Sequence, residues 1–363
     1  MSNLKLFHRQ QQGFVLVASI WVMAILVIMV GAFAAWVESS LNKAILQNER
    51  AQMALNAAST QSVLFYLAAT QGGTPAGIKV PVDSLGIGDG VEMSLDDFFA
   101  GADVDDMGLR TVGIDGNEIR LDGTVYSGLD GSLFSIRDIS SMLPLNSKSP
   151  RHAQALLRYL DVGQARSARL TSTLQDYIDR DDVLRSNGAE SFQYTQRGLA
   201  PPPNAGLLSY HELQNVLEWE SLEALWRNKE LLSEVVASPF DAYNLNAVSS
   251  KVAQIAFDLS PADAQAFVRE RDIEPYTNLN DVLERSEVNL YNQSQIILTM
   301  PSSKLRFSFW YPQARLKREV DVHFQTVVNA ADAPWIITRD LIVPITESDA
   351  RAKPREPQTR LLR

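Results

Sequence analysis

The chain has 363 residues, 45% of them hydrophobic, with 33 basic and 43 acidic side chains, a net charge of −10 and no cysteine. The absence of thiols excludes a disulfide framework and any thiol-based site, and the acidic balance argues against nucleic acid as a partner. What remains is a globular chain with material for more than one core and one strongly apolar segment.

That segment comes first. No charged residue lies between Arg9 and Glu38, and FVLVASIWVMAILVIMVGAFAAWV gives 24 mostly apolar positions from Phe14 to Val37. As a helix this stretch is about 36 Å long against a hydrocarbon core of about 30 Å, so it can span a membrane. Lys5 and Arg9 before it and Glu38 after it place the short N-terminus in the cytoplasm and the bulk of the chain across the membrane. A cleaved secretory signal is the alternative, with Ala32-Phe33-Ala34 imitating its processing site. The apolar region of such a signal is typically only about 7 to 15 residues, however. From Glu38 to Thr70 there is no proline or glycine, and Leu41, Ile45, Leu55, Val63, Leu64 and Leu67 recur at helical spacings. One helix is therefore expected over 14–70, with 14–37 in the membrane and Gly72-Gly73 as its stop.

The stretch RQQQGFVLVASIWVMAILV resembles a type IV prepilin leader: a short basic peptide ending in Gly13, then Phe14, then an uninterrupted apolar helix. The resemblance implies that a prepilin peptidase cuts after Gly13, removes residues 1–13 and methylates the new amine of Phe14. Loss of Lys5 and Arg9 with the leader leaves 31 basic against 43 acidic residues, a net charge of −12. Most pilins and pseudopilins carry glutamate at the fifth mature position, where this chain has Ala18. A carboxylate at that depth is costly unless paired, and in the family its partner is the N-terminal amine of the adjacent subunit. A subunit with nothing above it has no such amine to meet. The missing acid, the leader and the length together resemble the general secretion pathway protein K (GspK) family, the large minor pseudopilins of the type II secretion system.

Residues 71–140 read as loops and strands. Glu118 to Gly128 alternates Ile119, Leu121, Gly123 and Val125, and Gly131 to Ile139 follows a short turn at Leu129-Asp130, which predicts a hairpin. Asp96, Asp97, Asp103, Asp105 and Asp106 match no calcium loop and read as a solvated acidic loop.

From Met142 the period changes to that of helices. Seven candidates, at 150–162, 164–178, 209–219, 221–236, 249–259, 261–273 and 279–286, are separated by turn residues, and no strand is expected among them. Ser209 with Glu212 fits a capping box, and Pro261 suits a first helical turn. Leu145-Asn146-x-x-Ser149-x-x-x-Ala153-Gln154 repeats 100 residues later as Leu245-Asn246-x-x-Ser249-x-x-x-Ala253-Gln254. Such duplicated helix-hairpin-helix-like units bind DNA backbones in other proteins, but the loops here lack the glycine-rich, basic character for it, so a packing role is expected. The protein K family carries an inserted helical domain of this kind, and Asn244-Leu245-Asn246-Ala247 resembles its N-P-N-T-A turn with leucine in place of proline.

Within this region Asp179, Asp181, Asp182 and Glu190 gather around an Asn187-Gly188 turn, and clustered hard oxygen ligands suit Ca²⁺. The glycine falls at the wrong place for an EF-hand. A charged helix end, with Arg180 and Arg185 as internal partners, is the other reading of the same residues. The resemblance favours calcium, because relatives of protein K bind it at a D-x-D-D…G-A-E…Y stretch of the helical domain.

Strands return at 304–311, 319–328 and 335–344, and these are expected to complete one sheet with the strands before residue 140. The expected fold is α+β. A long N-terminal transmembrane helix precedes a pilin-like α/β domain with an antiparallel sheet (71–140 and 297–350), which carries an inserted all-α domain (141–296). The tail at 351–363 is expected to be disordered.

His8, His152, His211 and His323 are scattered and match no HExxH pattern, and neither GxSxG nor a phosphate loop occurs, so no catalytic residue is nominated and no enzyme is expected. The resemblance implies a single-pass inner-membrane protein at the tip of a periplasmic pseudopilus, initiating its assembly and supporting protein export across the outer membrane. Its partners would be minor pseudopilins of the I and J types, the H type, the major pseudopilin and the prepilin peptidase. The alternative is a bitopic membrane-anchored periplasmic module that binds exported substrate or the outer-membrane gate.

Overall fold

The computed structural model describes residues 12–81, 103–104, 110–111, 113–291, 296–325 and 333–362. Most of the leader with Lys5 and Arg9, the acids Asp96, Asp97, Asp105 and Asp106, and the end of the strand expected at 319–328 lie outside the described residues. The chain divides into two units, residues 1–55 and 56–363.

Helix α1 runs from Gln12 to Thr70, 59 residues without interruption, in agreement with the charge-free and proline-free reading. In the first unit the stretch Leu16–Glu49 is long and apolar enough to cross a membrane, and no protein covers it. In the second unit the helix turns one face inward: Ala57, Thr60, Leu64 and Leu67 are buried at spacings of three and four residues. The short ladder of β1 (Gly73–Thr74) and β2 (Gly77–Ile78) follows, and β3 (Asp103–Val104) pairs with β4 (Arg110–Thr111).

The expected sheet forms across the whole length of the helical insertion. Strands β5 (Asp122–Ser127) and β6 (Leu133–Asp138) make the hairpin, and their partners arrive much later in the chain. Helical elements intervene: α2 (Arg151–Tyr159), α3 (Gln164–Ile178), α4 (Ser191–Gln196), α5 (Glu223–Trp226), α6 (Lys229–Leu232), α7 (Ser250–Ala256), α8 (Pro261–Ile273) and α9 (Leu279–Ser286). The antiparallel sheet is then completed by β11 (Lys304–Trp310), β12 (Leu316–Phe324) and β13 (Trp335–Pro344), in the order β13-β12-β11-β6-β5.

Strand alternation gives this sheet two unlike faces. Phe134, Ile136, Phe307, Phe309, Val320 and Val322 form one core with Leu64, Phe65 and Leu67 of α1, and the Phe65 and Phe307 rings meet edge-on at 4.9 Å. The other face carries charge. Arg306 binds Asp321 through two bonds of 2.7 and 3.0 Å, Arg339 bridges Asp321 and Glu319, and Lys317 lies 2.8 Å from Asp349. Burial would raise the carboxyl groups of Glu319 and Asp321, but Arg306 and Arg339, joined by Lys317 at Glu319, outweigh it and hold both at about 2.

The insertion leaves and rejoins the sheet at one carboxylate. Asp138, fully buried at the end of β6, accepts from Ser140 N and Oγ (2.9 and 2.7 Å), Asn244 Nδ2 (2.9 Å), and Ser302 N and Oγ (2.8 and 2.5 Å). Ser140 opens the insertion, Asn244 lies within it and Ser302 precedes β11.

The insertion contains strands as well as helices, which corrects the expectation of none. Strand β7 (Leu143–Pro144) pairs in parallel with β8 (Val235–Val236), and β9 (Ala242–Asn244) with β10 (Ile296–Leu298). Runs of two or three buried residues are too short to display a period of two. The segment at 209–219 forms a 3₁₀ turn over Tyr210–Asn215, and the Ser209 side chain does not cap it. The segment at 221–236 breaks into α5 and α6, with Asn228 capping the second through Leu231 N. Pro261 does sit in the first turn of α8, behind the cap Ser260.

The two sequence repeats make matching contacts. Asn146 exchanges two amide bonds with the backbone of Leu207, both 2.8 Å, and Asn246 does the same with Tyr276, again both 2.8 Å. Beyond each clamp a carboxylate accepts a backbone amide four residues before it, Leu208 N to Glu212 and Thr277 N to Asp281.

Residues 351–362 of the tail are ordered, another correction. Arg355 bonds to the outer edge of β5 through Val125 O and Ser127 N, both 2.9 Å, and Leu362 is buried in the core under α1. The charged composition masked the two contacts that fix it. Asp138→Ala, which strands several buried donors, is expected to destabilise the fold by about 3–5 kcal/mol. Urea unfolding of the full chain in detergent checks it, and a loss below about 1 kcal/mol would contradict the assignment.

Candidate functional site

The processing residues Gly13 and Phe14 lie within the first turn of α1, which begins at Gln12. Ala18 follows one turn later, in the apolar stretch that no protein covers. Within this stretch the Ser19 hydroxyl turns back to Leu16 O at 2.8 Å, and no ion pair is made among the described residues, so a carboxylate at position 18 would need a charged partner from another molecule.

The acidic loop begins where α3 ends. Of the four expected ligands, Asp179 and Glu190 turn inward, whereas Asp181 and Asp182 are exposed. Asp181 accepts from Val183 N at 3.0 Å, a local turn, and Asp182 accepts from Asn204 Nδ2 at 2.8 Å. The structure adds Asp176, fully buried in the last turns of α3. It escaped the sequence reading because it lies inside the helix, although its spacing of three residues from Asp179 puts the two on one helical face. Arg185 ties them together, with Nη1 at 2.9 Å from Asp176 Oδ1 and also bonded to Asp179. The turn allows this approach only with glycine at 188, where a Cβ would sit 1.9 Å from Asp176 Oδ2.

Glu190 is the unexplained group. It stands at the N-terminus of α4, its carboxylate facing the Gln193 backbone N–H without closing a hydrogen bond to it, while its own backbone N–H donates to Gln193 Oε1 at 3.0 Å. Only 5% of the residue is exposed, yet neither carboxylate oxygen completes a hydrogen bond among the described residues, and Asp179 Oδ1 is equally bare. Burial, followed by the charges of Asp176, Asp179, Asp182 and Asp181, pushes the Glu190 carboxyl up to about 7. A buried acid facing four others is the environment that a hard cation relieves. As arranged around Arg185, no group of three such side chains among the described residues converges closely enough to hold an ion. The donors are of the kind Ca²⁺ takes, oxygen atoms only, on a loop, with both Glu190 oxygens buried and unbonded, but they do not converge on one point as they stand.

Histidine enters a different kind of arrangement. His152, 2% exposed, bonds Tyr243 Oη through Nδ1 at 2.8 Å and Asp241 through Nε2, which ties α2 to β9. The flanking carboxylate did not stand out in sequence because it lies 89 residues away. His211-Glu212 separates in role as well: Glu212 accepts from Tyr177 Oη at 3.1 Å and from Leu208 N at 2.7 Å.

If the loop takes Ca²⁺, the melting temperature of the full chain rises by about 5 °C at a hundredfold excess of the ion over its Kd, and a chelator reverses the rise. Glu190→Gln, which keeps shape and removes the charge, should abolish the rise. Differential scanning fluorimetry in detergent checks both, and an equal rise in the variant would contradict the assignment of Glu190.

Residues 132–225 match the family model described as Type II secretion system (T2SS), protein K. No curated protein matches the chain. Among solved structures, a chain in the crystal structure of the GspK-GspI-GspJ complex from the type 2 secretion system of enterotoxigenic Escherichia coli is similar. Its identity is 16%, its TM-score is 0.45, and the match covers 59% of this chain and 80% of that one.

Proposed function

We propose, from the match of residues 132–225 to the type II secretion system protein K family model, that this chain is a minor pseudopilin acting at the tip of a periplasmic pseudopilus. The observation that carries the reading is the presence in one chain of that domain and a 59-residue N-terminal helix whose apolar stretch no protein covers. Such a stretch is stable in a bilayer or among the equivalent helices of other subunits.

The finer proposal is that prepilin peptidase cleaves after Gly13 and methylates Phe14, with the N-terminus cytoplasmic and the rest periplasmic. Ala18 supports the tip position, since a capping subunit has no neighbour above it to pair a carboxylate. The bulk of the insertion supports it too, because a head enlarged in this way is hard to stack within a thin filament. The partners proposed are minor pseudopilins of the I and J types, the companions of GspK in the E. coli complex. The H type and the major pseudopilin would add below, so that the complex initiates assembly and supports export across the outer membrane. Calcium at the Asp176, Asp179 and Glu190 loop would order the helical part of the head. The family is a structural component of secretion, and the chain's role follows from association, not from a reaction.

Intact mass spectrometry of the membrane-extracted chain tests this, with and without prepilin peptidase and with I and J subunits co-expressed. The expected product begins at N-methylated Phe14, depends on the peptidase and co-extracts with I and J. A chain that starts at Met1 and supports full secretion without those partners would overturn the reading in favour of a simple anchored binding module.

A further inference from the structure

The charged face of the sheet borders a cavity of about 220 Å³, walled on the other side by residues 210–232. That is room for about seven waters, far more than a packing defect leaves. Its lining is mixed. Trp226, Leu232, Val343 and Pro344 supply apolar surface, and Arg306, Lys317 and Lys229 supply cations. Glu319 is its one carboxylate, and that group is already engaged by Arg306, Lys317 and Arg339 at 3.8, 3.4 and 3.0 Å.

Several donors in this lining are uncommitted or only loosely paired among the described residues. Arg306, 3% exposed, spends Nε and Nη2 on Asp321, while its Nη1 makes no hydrogen bond and lies 3.8 Å from Glu319 Oε2. Lys229, exposed, makes no ion pair, and neither the Tyr210 hydroxyl nor the His211 ring makes a hydrogen bond. The apolar wall is fixed in advance, since Trp226 donates its indole N–H to Trp219 O at 2.8 Å.

We propose that this cavity binds a carboxylate carried on a small aromatic or aliphatic body. The carboxylate would meet Arg306 Nη1, the Lys229 ammonium and the Tyr210 hydroxyl, and the body would lie against Trp226, Leu232 and Pro344. The Lys229 ammonium is the one positive charge of the lining without an ion pair among the described residues, and Arg306 Nη1, held only loosely at 3.8 Å by Glu319, can add a hydrogen bond, so the site balances a single negative charge and fits a monoanion better than a phosphate. The same chemistry is offered by a free organic acid and by the C-terminal residue of a polypeptide. The proposal does not depend on the pseudopilin reading.

Isothermal titration of the full chain in detergent with 3-phenylpropionate and with 3-phenylpropionamide tests it. The acid should bind saturably at one site and the amide at least about tenfold more weakly, because only the acid makes charge-assisted bonds. Lys229→Gln combined with Tyr210→Phe, both on the cavity lining and outside the buried ion-pair layer, should weaken the acid by about tenfold while leaving the melting temperature unchanged. A short peptide ending in phenylalanine with a free carboxylate, set against its amidated form, identifies the source. Competition by the free-ended peptide assigns a polypeptide C-terminus, and its failure assigns a free acid. Equal binding of acid and amide, no saturation by about 10 mM, or indifference to the double substitution would overturn the proposal.

Discussion

A single carboxylate, that of Asp138, holds this architecture to one arrangement. The sheet is built from a hairpin before the insertion and three strands after it, so β6 and β11 must meet although more than 160 residues separate the partners Asp138 and Leu305. Closing so long a loop is entropically unfavourable, and nothing in the hydrogen-bond ladder itself fixes where the insertion sits. Asp138 supplies that information. It takes both a backbone and a side-chain donor from each of Ser140 and Ser302, and the Asn244 amide reaches it from the middle of the insertion. A buried anion with five donors tolerates little displacement of any of them.

From that junction the two faces of the sheet divide the work. The apolar face takes α1 through an aromatic core around Phe65 and Phe307, with the half-buried Trp335 at its edge, and this burial contributes the larger stabilisation. The charged face meets the segment at 207–236 through ion pairs and cavities that border Arg306 on several sides. A polar layer of this kind contributes little net stability, because desolvation offsets most of the attraction between the charges. It does fix orientation, and it leaves room for water or a ligand. The helical core is separate, centred on Leu156, Leu174, Trp219 and Phe267, so the insertion brings its own packing and needs the sheet only for placement.

Much of this was legible in the sequence because its signals are periodic. A gap in charge from residue 10 to 37 and the lack of proline and glycine from Glu38 to Thr70 prescribe α1, and alternation at 304–310 and 319–324 prescribes two of the returning strands. What escaped has no period. Asp138 and Asn244 lie 106 residues apart, and each is an ordinary polar residue until the fold joins them. Asp176 was hidden inside a helix, the strands at Leu143 and Val235 are two residues long, and the tail is held by Arg355 and Leu362 against a composition that suggests disorder. The repeated Leu-Asn-x-x-Ser pattern was visible, but the task of its asparagine, clamping the backbone of Leu207 or Tyr276, required the coordinates.

In the filament role proposed above, a head that behaves as one body matters more than any single contact. The most direct test is scanning calorimetry of the full chain in detergent, which reads whether sheet and insertion melt together. Locking at Asp138 predicts one transition with calorimetric and van't Hoff enthalpies that agree. Two resolved transitions would contradict it, showing that the helical insertion is a tethered domain independent of the sheet.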